Sequence, residues 1–123
     1  MKITADFHVH SKFSRATAKN LDLENLWVAA QIKGVNVVAT GDFSHPAWFA
    51  EIEAKLKPAR PGLLKLKQEF TTLCGTGVPP ACRADTCFIL ATEISNIYKK
   101  DGKTRKNHNL VLVPDLDAAR RLN

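Results

Sequence analysis

The chain has 123 residues, 45% of them apolar, and 18 Lys and Arg against 12 Asp and Glu leave a net charge of +6. That length holds a real core but no more than one ordinary domain, and the apolar fraction excludes a disordered or collagen-like chain. No apolar run approaches the roughly 20 residues of a membrane span, and "MKITADFHVH" meets Asp and His too early for a signal peptide, so a cytoplasmic location is expected.

Residues 2–8, "KITADFH", read as a first strand and "SKFSRATAKN" as a polar loop. Alternate side chains of a strand share a face, so Asp6, His8 and His10 would project into one space. "LDLENLWVAAQIKG" carries Leu23, Leu26, Trp27, Ala30 and Ile32 at near-helical spacing, with Asp22 as N-cap and Gly34 as the stop. "VNVVAT", residues 35–40, suits a buried strand and empties into "GDFSH". Pro46 opens a second helix, "PAWFAEIEAKLK".

Residues 57–87 are the least legible, a Lys-rich piece with helical character followed by a Gly/Pro/Cys loop. Cys74, Cys82 and Cys87 form no CxxC pair, so free thiols are expected rather than a structural zinc site. "FILATEIS" resumes as a strand, "KKDGKT" reads as a turn, "HNLVLVP" as a further strand, and Asp115 caps a last helix, "LDAARRLN". About four strands alternating with helices point to an α/β architecture with mainly parallel strands.

In such folds the working residues gather where strands end. Every expected strand here ends or begins with ligand-type side chains: Asp6, His8 and His10, then Asp42 and His45, then Glu93, then His108. All four histidines of the chain are in that set. Singly, each has an ordinary reading. A strand histidine is often structural, Asp42 would cap a turn, His45 would occupy an N-cap, and His108 would be a surface residue. Glu93 on an apolar strand resists that, because a buried carboxylate needs a cation or donors. Together, imidazoles and carboxylates suit Zn²⁺, Mn²⁺ or Fe²⁺. "DGKT", residues 101–104, resembles the end of a phosphate loop, but Ile97 stands where that motif needs its first Gly. "KKDGKTRK" is better read as a basic hairpin turn. A basic surplus with a pI near 9.4 favours a polyanionic partner such as nucleic acid.

"DFHVHS", "TGDFSH", "TEIS" and the His of "NHNLVLVP" resemble the successive motifs of the PHP domain, the polymerase and histidinol phosphatase superfamily. "HSKFSRAT", "VVATGDFSHPAW", "ILATEISNIY" and "GKTRKNHNLVLVP" look like its endonuclease Q branch, over nearly the whole chain except residues 57–87. The resemblance implies the N-terminal portion of a distorted (β/α)7 barrel spanning residues 1–123, not closed by this chain alone, with two or three divalent cations (Zn, Mn or Mg). It implies a metal-dependent DNA repair endonuclease that hydrolyses the phosphodiester 5′ to deaminated bases.

By motif, His8 and His10 resemble first-metal ligands, Glu93 the bridging carboxylate and His108 a second-metal ligand. Asp42 lies where many members have Asp followed directly by His; Phe43 holds that next place here, and His45 is the candidate substitute. Asp6 becomes a partner orienting a histidine. Arg15 and Lys12 lie beside the metals as phosphate contacts, with Lys103 and Arg105 as further nucleic-acid contacts. The family's later ligands, a second His and an Asp-x-His pair, have no counterpart after His108. Two alternatives follow: a non-catalytic remnant or subunit completed by a second, downstream polypeptide, and a small-molecule phosphatase of the histidinol-phosphate kind.

Overall fold

The structure of the protein, a computed structural model, describes residues 2–15, 17–73 and 85–123. Cys74 and Cys82 lie outside the described residues. In chain order the elements are β1 (Ala5–Asp6), α1 (Leu23–Ile32), β2 (Val37–Ala39), α2 (Pro46–Lys55), β3 (Leu56–Arg60), β4 (Leu63–Leu66), α3 (Gln68–Leu73), β5 (Cys87–Lys100), β6 (Lys103–Val113) and α4 (Leu116–Leu122). They form a mixed α/β fold with an open sheet of six strands and four helices among the described residues. No helix there is long and apolar enough to cross a membrane.

Three of the helices start where their capping residues stand. The carboxylate of Asp22 accepts the backbone N–H of Asn25, and Asp115 accepts that of Ala118. Pro46 occupies the first turn of α2, where its missing N–H costs nothing. Gly34 ends α1 with φ +69°, which glycine adopts without strain.

The heart of the sheet is parallel. Ala5 and Asp6 of β1 pair with Val37 and Val38, and Val37 to Ala39 pair with Cys87 to Ile89. β1, β2 and β5 therefore point their C-terminal ends to one edge. α1 and α2 follow β1 and β2 in the chain and cover the apolar sheet with Leu23, Leu26, Trp48 and Ile52 against Val38, Phe88 and Leu90. Cys87 is buried in β5 as a free thiol, and its burial raises the thiol's pKa and keeps it protonated.

The structure departs from the expected order at residues 56–66. "LKPARPGLLKL" forms an antiparallel hairpin, β3–β4, rather than a helical piece, giving six strands among the described residues instead of the four expected. Leu64 and Leu66 are buried on alternate positions, which is the strand period. Pro58 sits on the edge strand, where a missing N–H breaks no ladder on the solvent side. Gly62 turns the chain at φ +76°. β4 pairs antiparallel with β5 at Leu64 and Phe88. Among the described residues, parallel pairing is thus confined to three strands.

Trp48 ties α2 to the strand ends. Its side chain is fully buried, and its indole N–H donates to the carbonyls of Thr40 and Gly41 at 3.1 and 2.9 Å. Trp48→Phe leaves those carbonyls short of a donor and the ring pocket underfilled. The expected loss of unfolding free energy is about 2–3 kcal/mol. A urea titration reads it, and a loss under about 0.5 kcal/mol would contradict this role.

Candidate metal centre

β1 ends at Asp6, whose carboxylate accepts the backbone N–H of His8 at 3.2 Å. The chain then runs on without regular secondary structure, with Val9 packed against the core and His8 and His10 on either side of it in sequence. The two imidazole centroids lie 5.4 Å apart. Asp6 thus steadies the His8 backbone rather than either ring.

The end of β2 supplies the next group. Gly41 and Asp42 both take positive φ, +63° and +44°. Left-handed backbone is uncommon for non-glycine residues, and Asp is among those that tolerate it. The Asp42 carboxylate is held in place by Ser11, whose N–H and hydroxyl donate to Oδ2 at 2.7 and 2.8 Å. Its other oxygen, Oδ1, lies 3.2 Å from His10 Nδ1. A ring that donates Nδ1–H to a carboxylate presents the lone pair of Nε2 on its far side.

That Nε2 lies 3.3 Å from Oε2 of Glu93, and His8 Nε2 lies 3.2 Å from the same oxygen. His108, opposite Ser95 in the β5–β6 register, turns Nδ1 onto the other oxygen, Oε1. Three imidazoles from two parts of the chain therefore converge on one carboxylate whose side chain is only 17% exposed. The ligand atoms of His8, His10 and Glu93 all lie within 4.8 Å of one another. Hydrogen bonds from His8 first, and then from His108, hold the Glu93 pKa below the ordinary carboxylate value. The stabilisation from these contacts is complete above the ordinary carboxylate range. It fades only as pH falls through the lowered value.

Beside the cluster is a cavity of about 430 Å³ lined by Arg15, Asp42, Ser44, His45, Thr92 and Glu93, among others. The Ser44 and Thr92 hydroxyls, both in its lining, are hydrogen-bonded to each other at 2.8 Å. A larger cavity, about 840 Å³, lies between the β3–β4 turn and Pro114–Asp117 and holds none of these groups.

The structure brings His8, His10, Asp42, Glu93 and His108 together. His45 lines the adjoining cavity but stacks its ring on Phe13 at 4.4 Å. Lys12 pairs with Glu51, while Arg15 is exposed at the cavity wall. Lys103 and Arg105 stand opposite Lys100 and Tyr98, on the hairpin face away from Glu93 and His108. Ser11, Ser44 and Thr92 are absent from the sequence-based set. Only Ser11 carried a signal, as the residue after His-x-His.

No protein-family model matches the chain. A stretch of 53 residues is 40% identical to an uncharacterized protein of Methanocaldococcus jannaschii and covers 43% of this chain and 7% of that protein. Two solved structures share the fold with a TM-score of 0.69 and 24% identity. One is PfuEndoQ, a lesion-specific endonuclease from Pyrococcus furiosus, matched over 97% of this chain and 24% of its own. The other is endonuclease Q in complex with a 27-mer duplex substrate carrying an abasic lesion at the active site, matched over 98% and 24%. The chain thus spans about a quarter of the length of the solved structures it resembles.

Proposed function

We propose that residues 1–123 are part of a PHP-type barrel of the endonuclease Q kind. Its work is metal-dependent hydrolysis of the phosphodiester 5′ to a deaminated base in DNA. The observation that carries this reading is the convergence of His8, His10 and His108 on Glu93, beside a cavity whose wall includes Arg15. The donor set fits hard-to-borderline divalent cations: neutral imidazoles, one shared carboxylate and a second carboxylate behind a ring.

His8 and His10 would hold the first cation, Glu93 would bridge, and His108 would hold the second. Asp42 and His45 are the candidates for a third. When bound, two or three ions of Zn²⁺, Mn²⁺ or Mg²⁺ would supply polarisation of the phosphoryl oxygens and a water acidic enough to attack near neutral pH. The chain's own residues do the rest. Asp42 fixes the His10 ring, and Ser11 fixes Asp42. Arg15 grips a phosphate by a bidentate contact at the cavity wall. Lys12, the other expected phosphate contact, is held in an ion pair with Glu51. Lys103 and Arg105 contact the nucleic acid away from the cluster.

A second reading is favoured by one observation. Ile3 and Phe7 beside the edge strand β1, and Leu110 and Leu112 on β6, are large apolar side chains left exposed. Open apolar edges invite a covering polypeptide. In that reading further chain completes the barrel and the activity belongs to the whole.

Purified protein with Mn²⁺, Mg²⁺ or Zn²⁺ is expected to nick a uracil-containing oligonucleotide, and His8→Ala to abolish the nick. A metal-loaded preparation that leaves the oligonucleotide intact would refute activity in this chain. Cleavage of a phosphate monoester but not of DNA would favour the small-molecule phosphatase instead.

A further inference from the structure

Beyond Thr92 the β5–β6 hairpin leaves the body of the protein. β2 pairs with β5 only as far as Ile89, and β4 only at Phe88, whereas the β5–β6 ladder runs on to Lys100 and Lys103. Every residue from 94 to 110 is exposed. Asp101 and Gly102, at φ +54° and +70°, close the ribbon in the tight two-residue turn that matches strand twist. Among the described residues neither face of this ribbon is covered, and a bare two-stranded ribbon is marginal in water, so it needs a surface to lie against.

The charge on that ribbon selects the surface. Lys99, Lys100, Lys103, Arg105 and Lys106 cluster around the tip against a single acid, Asp101. None of the five cations forms an ion pair among the described residues. The register also sorts side chains by face. Glu93, Ser95, Ile97 and Lys99 share a face with Leu110, His108, Lys106 and Thr104. On the other face, Asn96, Tyr98 and Lys100 stand opposite Asn107, Arg105 and Lys103. That second face is a continuous run of hydrogen-bond donors with cations toward the tip. Asn and Arg are the side chains whose geometry reads adenine and guanine edges, and the major groove of a duplex admits a two-stranded β-ribbon.

We infer that the β5–β6 ribbon is a groove-entering arm for duplex DNA, its Asn96/Tyr98/Arg105/Asn107 face toward the base edges and its lysines on phosphates. The partner class rests on the DNA-directed reading above; the arm itself rests on register, exposure and charge. Seven residues separate Glu93 from Lys100, about 23 Å of strand at roughly 3.3 Å each, or about seven base pairs of duplex. The arm therefore grips DNA well away from the phosphate at the cluster.

The test is the salt dependence of binding to an undamaged, fluorescein-labelled duplex, without metal. The variant Lys100→Gln/Lys103→Gln/Arg105→Gln is expected to flatten the slope of log K against log salt by about 2.7. Between 50 and 200 mM salt, wild-type affinity then falls about 40-fold more than the variant's. A control set on the body, Lys2→Gln/Lys33→Gln/Lys57→Gln, keeps the wild-type slope, and circular dichroism confirms that both variants fold. Methyl green, which occupies the major groove, displaces the protein, and distamycin does not. An unchanged slope, no duplex binding, displacement by distamycin alone, or equal loss on single strands or anionic vesicles each overturns the arm. Since the assay needs neither metal nor lesion, absent nicking with an intact slope difference condemns only the phosphodiesterase reading.

Discussion

Glu93→Gln is expected to lower nicking on the order of a thousandfold and to weaken divalent-cation binding by a comparable factor. Glutamine keeps the size of the side chain but not its charge or its second acceptor. In the wild type, Oε2 faces both His8 and His10 while Oε1 faces His108. An amide nitrogen cannot be a ligand, and it would point a donor at ring nitrogens that present lone pairs to a cation. The β5–β6 ladder on both sides of the residue is untouched, so the variant should fold. Calorimetric titration with Mn²⁺ alongside the nicking assay checks both parts. Activity within tenfold of wild type would show that Glu93 is a structural acid and no bridge.

The second large effect is expected at a residue with no side chain. A Cβ on Gly41 would stand 2.4 Å from the carbonyl oxygen of Val9 and 3.1 Å from His10 Cα, at a φ of +63°. Left-handed backbone alone costs alanine about 1–2 kcal/mol, and the clash is with main chain that cannot rotate away. Gly41→Ala should therefore cost about 3 kcal/mol or more of stability. It should also push the His8–His10 segment off Asp42, so that metal affinity falls in the protein that remains folded. Gly34→Ala is the matched control, with φ +69° and nothing within 4 Å of its Cβ. It should cost about 1 kcal/mol and leave the cluster intact. Equal denaturant midpoints and equal metal affinity in the two variants would contradict the close approach of β2's end to Val9.

These two residues mark how far the sequence could be read. Glu93 stood out because a carboxylate interrupts an apolar strand, and such a residue announces itself in one dimension. Gly41 did not, since its reason is the carbonyl of Val9, more than thirty positions away. The helices with strong local punctuation, Asp22 before α1, Pro46 in α2 and Asp115 before α4, were legible to within two residues. So was the Asp101–Gly102 turn, whose chemistry permits few alternatives. The β3–β4 hairpin was illegible because two prolines and a Lys-rich composition obscure a short period-2 pattern. Pairing of β3 with β4, and of Leu64 with Phe88 of β5, makes that stretch a pair of strands.

The first strand teaches a similar lesson about the site. Regular spacing placed Asp6, His8 and His10 on one strand face, but the paired strand stops at Asp6, because β2 offers partners only at Val37 and Val38. The histidines stand beyond it, outside the paired strand, and contacts the sequence does not display hold the site: Asp42 on the His10 ring and Ser11 on Asp42. Likewise, the sequence leading to His108 offers Lys103 and Arg105 as further nucleic-acid contacts. The alternation of side chains along β6 turns them to the opposite face.

We propose that His8, His10, Glu93 and His108 form one metal centre. Titration of ¹⁵N-histidine-labelled protein with Zn²⁺, followed through the ring nitrogens, tests it most directly. With one shared centre, the His8, His10 and His108 resonances shift together at the first equivalents of metal, and none of them does so in Glu93→Gln. Binding that leaves those three rings unmoved, or no binding at all, would contradict it.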